Sequence, residues 1–237
     1  MVKRTGGITL GAKLFVGMIM LAFFLLVGLG IYRVKQDPAV LSYLKKVRDY
    51  LGVYISLPKA SGGSGLKNTE INYSKDVDLI AEKYDLPAAY LKALIVLECS
   101  GVKPVKPRLE KHVFKKLKRV REKEGRKYEV LTHEQIKDAS DAALENLARS
   151  WGPFQLMGYK CLQLGVKVND IRGENALDWG AKWIDMEYGN LLRKGRFRDA
   201  FHYHNTGRVY PSNGIPKTHD PNYVAHGLDY MEFFQGK

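Results

Sequence analysis

A carboxylate closes one apolar run of this chain. Leu94 to Leu97 are all aliphatic, and Glu98 follows them directly, ahead of Cys99, Ser100 and Gly101. In the last turn of an apolar helix, desolvation and the negative end of the helix dipole both favour the protonated form of a carboxyl group. A carboxyl that keeps its proton near neutral pH can donate it, so the chemistry expected at Glu98 is general acid catalysis. The next acidic residue along the chain is Glu110; the intervening CSGVKPVKPRL contains none. Three other stretches bring polar groups together. SWGPFQLM holds Ser150, Phe154, Gln155 and Met157; YHNTG holds Tyr203, His204 and Asn205; PNYV holds Tyr223. Gln155 offers an amide with two donors and one acceptor. His112 and His133 lack metal-ligand spacing, so no metal is expected, and no cofactor is implied.

Helices must position these groups. DLPAAYLKALIVLECSG reads as one helix, with Asp85 as N-cap, Pro87 in the first turn and Ser100-Gly101 as the stop. SKDVDLIAEKY, EKHVFKKLKRVREK, SDAALENLARS, YKCLQLGV, ENALDWGAKWIDMEYGNLLRKG, FRDAFHYHN and PNYVAHGLDYMEFF mostly carry helical spacing. Trp179 and Trp183 fall at helical spacing and are expected in the core. No stretch alternates apolar and polar residues well enough for a strand. The fold class expected is all-α, in a globular domain of residues 73–237.

The 237 residues, 45% of them hydrophobic, suffice for one cored domain with an appendage. The net charge of +13 points to a polyanionic partner: nucleic acid, an anionic membrane or an anionic cell wall. Two cysteines, Cys99 and Cys161, make neither a disulfide framework nor a zinc site. Leu14 to Tyr32 runs 19 residues without a charge behind the basic MVKRTGG, long enough to cross a bilayer, and no cleavage site follows. Residues 1–35 are therefore expected to be a cytoplasmic tip and a transmembrane signal anchor in the cytoplasmic membrane, with the domain on the periplasmic, outer face. Residues 36–72 read as an amphipathic juxtamembrane helix followed by a Gly/Ser linker, KASGGSGLKN, from Lys59 to Asn68.

E-C-S-G at Glu98, then GPFQLM, then Asn175 and Gly180 in ENALDWGAKWI, then YHNTG and the Tyr223-Val224 pair stand in an order that resembles the lysozyme-like lytic transglycosylase superfamily, which includes goose-type lysozymes. The likeness covers about residues 74–234. It implies a lysozyme-like fold and cleavage of the β-1,4 bond between N-acetylmuramic acid and N-acetylglucosamine in peptidoglycan. It also implies that Glu98 acts first as acid on the glycosidic oxygen and then as base. Ser150, Phe154, Gln155, Met157, Tyr203, His204, Asn205 and Tyr223 become candidate substrate-binding residues. Gln155 would address N-acetyl and hydroxyl groups, Phe154, Met157 and Tyr223 would either carry sugar rings or pack in the core, and Asn205 would fix the backbone beside them. Two features depart from the family pattern. The family's Tyr that bonds the catalytic Glu aligns with His204, although a shift of one residue would bring in Tyr203. The insertion at about 103–149 opens with PRLEKHVF, similar to a segment of phage-type N-acetylmuramidases.

That insertion concentrates the charge: twelve Lys or Arg lie between Lys103 and Lys127, against Glu110, Glu122 and Glu124. Beside a sugar site it could grip stem-peptide carboxylates or anionic glycan polymers; an exported domain makes nucleic acid the weaker expectation. Three functions are open at this point. A lytic transglycosylase uses the substrate's own 6-hydroxyl as nucleophile and leaves 1,6-anhydro ends. A hydrolysing muramidase needs a second carboxylate, for which Glu110 is the candidate. A non-catalytic wall-binding module would rest on the basic insertion alone.

Overall fold

The computed structural model describes residues 63–236. The apolar stretch Leu14 to Tyr32 and the juxtamembrane segment lie outside the described residues. Among the described residues no helix is long and apolar enough to cross a membrane.

The fold is mostly helical. Helix α1 spans Gly63–Tyr84 and α2 spans Ala88–Cys99. Short α3 (Lys111–Arg121), α4 (His133–Ile136) and α5 (Asp141–Leu147) follow, and then a 3-10 turn at Gly158–Leu162. Helices α6 (Ala176–Arg193), α7 (Phe197–Thr206) and α8 (Tyr223–Gln235) complete the domain. Helix α2 lies at its centre, flanked by α1 and α8. Its residues Tyr90, Leu91, Ala93, Leu94, Ile95 and Val96 are all buried. A helix apolar on nearly every side has to be enclosed by others, which is how the run before Glu98 is used.

Two expectations are corrected at the start of this domain. Gly63 to Asn68, read as linker from its Gly/Ser composition, is the first part of α1. Gly65, Thr69, Tyr73, Val77 and Ala81 recur every fourth residue and form the buried stripe of that helix. The small residues at its head let the backbone approach α2 closely: a Cβ added at Gly65 would lie 3.1 Å from Val96. Asp85, expected as the N-cap of α2, instead ends α1 in the left-handed conformation at φ 51°. Leu86 N–H donates to Ala81 O and Asp85 N–H to Glu82 O, the pair of bonds of a Schellman C-cap. Pro87 takes the N-cap place of α2.

Strands, absent from the sequence-based expectation, are present but very short. β1 (Arg108–Leu109), β4 (Arg149–Trp151) and β5 (Leu156–Met157) form an antiparallel sheet in the order β1-β4-β5. Arg108 faces Ser150 and Leu109 faces Arg149 across it. β2 (Lys127–Tyr128) and β3 (Leu131–Thr132) make a hairpin. Between β1 and β4 the insertion builds its own small core from Val113, Leu117, Val120, Leu131, Ile136, Leu144 and Ala148, closed by Tyr159.

Candidate active site

The C-terminal end of α2 is where Glu98 emerges. Ser100 and Gly101 both have positive φ and stop the helix, Ser100 N–H donating to Val96 O. The carbonyls beyond are satisfied by α1: Asn72 Nδ2 donates to Gly101 O at 2.8 Å, and Tyr73 Oη to Val102 O at 2.8 Å. Those bonds supply partners that a helix end lacks within itself. The position of Glu98 is therefore set by α1 as well as by its own helix.

Glu98 is largely enclosed, its side chain 14% exposed. Tyr223, at the start of α8, donates its hydroxyl to Glu98 Oε1 in a hydrogen bond. Burial and the neighbouring carboxylate hold the Tyr223 hydroxyl far above the usual phenol range, so it stays a donor. Among the described residues no donor reaches Glu98 Oε2. One oxygen is thus fixed and the other is free for chemistry.

His204, on α7, places Nε2 3.8 Å from Glu98 Oε1 and 3.1 Å from Phe154 O. A carbonyl can only accept, so Nε2 carries the proton and donates it there. Nδ1 then accepts from Tyr188 Oη at 2.7 Å, and Tyr90 Oη donates to Tyr188 Oη at 3.4 Å. Burial lowers the His204 pKa below its ordinary 6.5 and keeps the ring neutral. Tyr188 itself sits at a break in α6, with φ −147° and ψ 16°.

The sign of the resulting pH effect follows from linkage. His204 binds its proton more weakly in the folded chain than in the unfolded one. Stability from this group is complete above about pH 6.5, and is lost as pH falls from there toward the folded-state pKa, at up to about 1.4 kcal/mol per pH unit. Gln at 204 can donate to Phe154 O and accept from Tyr188 without titrating. His204→Gln should therefore flatten the acid limb of a stability–pH curve measured by urea unfolding. An unchanged slope would mean that His204 does not titrate with unfolding.

The remaining candidates divide. Ser150 is buried, donating to Gln155 Oε1 at 2.7 Å, and Gln155 Nε2 donates to Gly152 O at 3.1 Å. Gln155 holds a left-handed backbone at φ 48°, in the turn between β4 and β5. Through Phe154 O this turn is tied to His204, so Glu98, Tyr223, His204, Gln155 and Ser150 belong to one connected group. Phe154, which could carry a sugar ring or pack in the core, is a core residue at 1% exposure. Its ring lies on Gly180, where an added Cβ would come within 2.6 Å of it. Tyr223 is likewise buried at 7%, and it meets Glu98 through its hydroxyl rather than exposing its ring face.

Met157 packs against the core of the insertion. Tyr203 donates to Glu187 Oε2 at 3.3 Å and does not replace the family's Tyr beside Glu98. Asn205 is exposed at the end of α7. Glu110 precedes α3 and pairs with Arg108 Nε at 2.6 Å, with His112 Nδ1 at 3.7 Å. Its partners all belong to the insertion. Trp183 is buried and Trp179 half-buried, both against the main core. Cys99 and Cys161 are free thiols, each pushed up to about 11 by burial, which leaves them protonated and poorly nucleophilic. Tyr188, Tyr90 and Glu187 are participants that the sequence did not single out. No known protein family, no curated protein and no solved structure matches this chain.

Proposed function

We propose that this chain is a peptidoglycan lytic transglycosylase with a lysozyme-like fold, and that Glu98 is its acid and base. The observation that carries the reading is the bond from Tyr223 to Glu98 Oε1 at the end of an enclosed apolar helix. It supports a carboxyl with one oxygen anchored and one presented. In the first step Glu98 gives its proton to the glycosidic oxygen as the bond from that oxygen to C1 of N-acetylmuramic acid breaks. In the second the carboxylate takes the proton of the sugar's 6-hydroxyl, whose oxygen closes on C1 to give the 1,6-anhydro ring. Atoms balance without water. The anchor expected at residues 14–32 would hold this chemistry at the outer face of the cytoplasmic membrane, where its partner is the glycan strand.

Hydrolysis would need a second carboxylate within about 5–9.5 Å to activate water or attack C1. Glu110 is engaged by Arg108 and His112, which favours a structural role for it. Purified sacculi digested by the wild-type protein should yield anhydro ends, identified by mass. Glu110→Gln should leave those products dominant, because it breaks an ion pair whose Arg108 side is 72% exposed and which stabilises by at most about 1 kcal/mol. Reducing ends from the wild type, lost in Glu110→Gln with stability kept, would establish the hydrolase instead. No product at all would leave a wall-binding module.

A further inference from the structure

The basic insertion contains a groove whose cations have no carboxylate partner among the described residues. It lies between α3 and β2, is shallow, has a volume of about 210 Å³, and is lined by Lys116, Arg119, Val120, Arg126, Lys127 and Tyr128. Some cations elsewhere in the insertion are paired. Arg108 meets Glu110, while Lys118 and Arg121 share Asp141 at 3.1 and 2.7 Å. Among the described residues Lys116, Arg119, Arg126 and Lys127 have no carboxylate partner. Lys116 is held over the Tyr128 ring, its Nζ 5.0 Å from the centroid. The two walls are rigidly built: Val113, Leu117 and Val120 root α3 in the insertion core, and β2 pairs with β3 through Lys127 and Thr132. Four like charges are thus kept together by a scaffold, against their mutual repulsion.

We propose that this groove binds a linear phosphodiester polymer of small uncharged units, such as a polyol phosphate chain, independently of the chemistry at Glu98. The lining argues for that class. Every polar side chain in the groove can donate, and only the Tyr128 hydroxyl can also accept. A ligand rich in acceptors and poor in donors fits it; a peptide, with an N–H at each residue, does not. Arg119 and Arg126 present forks suited to phosphate oxygens. Nucleic acid offers the same phosphates, but single-strand binders add open rings on which bases stack. Here the one ring face carries Lys116.

The test measures binding of the full-length chain in detergent to fluorescent poly(glycerol phosphate), with duplex DNA and polyglutamate as competitors. In the groove variant Lys116, Arg119, Arg126 and Lys127 all become Gln. In the control variant Lys67, Lys75, Lys194 and Lys217, exposed residues outside the groove, become Gln, with the same loss of charge. Each phosphate contact adds roughly 0.7–0.9 to the slope of log affinity against log salt, so the groove variant should flatten that slope by about 3 and bind about tenfold or more weakly. The control should change affinity by less than about twofold if position rather than net charge matters. Should the groove variant fold poorly, the double change Arg119→Gln with Arg126→Gln should give about half the slope change. Equal loss in the control, or DNA or polyglutamate displacing the polymer at equal or lower concentration, would overturn the proposal.

Discussion

Glu98→Gln is expected to lower glycan-strand cleavage by on the order of 10²–10⁴-fold or more, the range for losing a general acid. The amide keeps the volume of the carboxyl, and its oxygen can still accept from Tyr223. The variant retains no proton to give to the glycosidic oxygen and no base to take one from the 6-hydroxyl. Its fold should survive: replacing a carboxyl acceptor by an amide oxygen in a single hydrogen bond should cost about 1–2 kcal/mol. Release of muropeptides from sacculi, followed by chromatography and mass, gives the rate; circular dichroism on heating gives the stability. Turnover near the wild-type level would remove Glu98 from the mechanism. Lost turnover together with a lost fold would show that the residue is structural.

Gly101→Ala should produce a large loss of stability. Gly101 has φ 66°, a conformation that costs an L-residue roughly 1 kcal/mol. An added Cβ would also fall against the Thr69 backbone nitrogen, 2.5 Å from Thr69 Oγ1 and 2.8 Å from Gly65 O. Two of these atoms are backbone of α1, so α1 has to shift as a body. Overpacking of that kind costs about 1–3 kcal/mol, which brings the expected loss to roughly 2–4 kcal/mol. The shift would also disturb the bonds from Asn72 and Tyr73 that fix the end of α2, so cleavage should fall along with the melting temperature. If the variant melts within a degree of wild type, the seating of α1 on that helix end is wrong.

Much of this arrangement can be read from local pattern, and the exceptions have physical causes. The run before Glu98 identified a central helix because burial on all sides leaves no polar face to confuse the period. The Gly/Ser stretch before it misled, because composition alone does not distinguish a flexible chain from a helix using small residues for close approach; the four-residue spacing of Gly65, Thr69 and Tyr73 held the better signal. The strands escaped because two or three residues cannot show alternation. The neighbours of Phe154 leave its side open: Gln155 faces the connected polar group, while Phe154 fills the space over Gly180. The partnership of Tyr223 with Glu98 joins positions 125 residues apart, and only the packing of α8 on α2 brings them together.

The pairing of Leu109 with Arg149 means that the chain leaves the main body and returns to it at one point of a sheet. Directly opposed antiparallel residues are about 4.5–5.5 Å apart, so a two-residue turn could bridge them if everything between were deleted. A detour of this kind is easy to acquire and to exchange, since closure entropy grows only logarithmically with the length enclosed. Residues 110–148 therefore have the anatomy of a cassette: a unit carrying most of its own apolar interior, capped by Tyr159 of the main body, and its own surface charge. On the proposed reading, a catalytic body of this design can change what it adheres to by swapping the cassette, while the helix end that presents Glu98 stays in place.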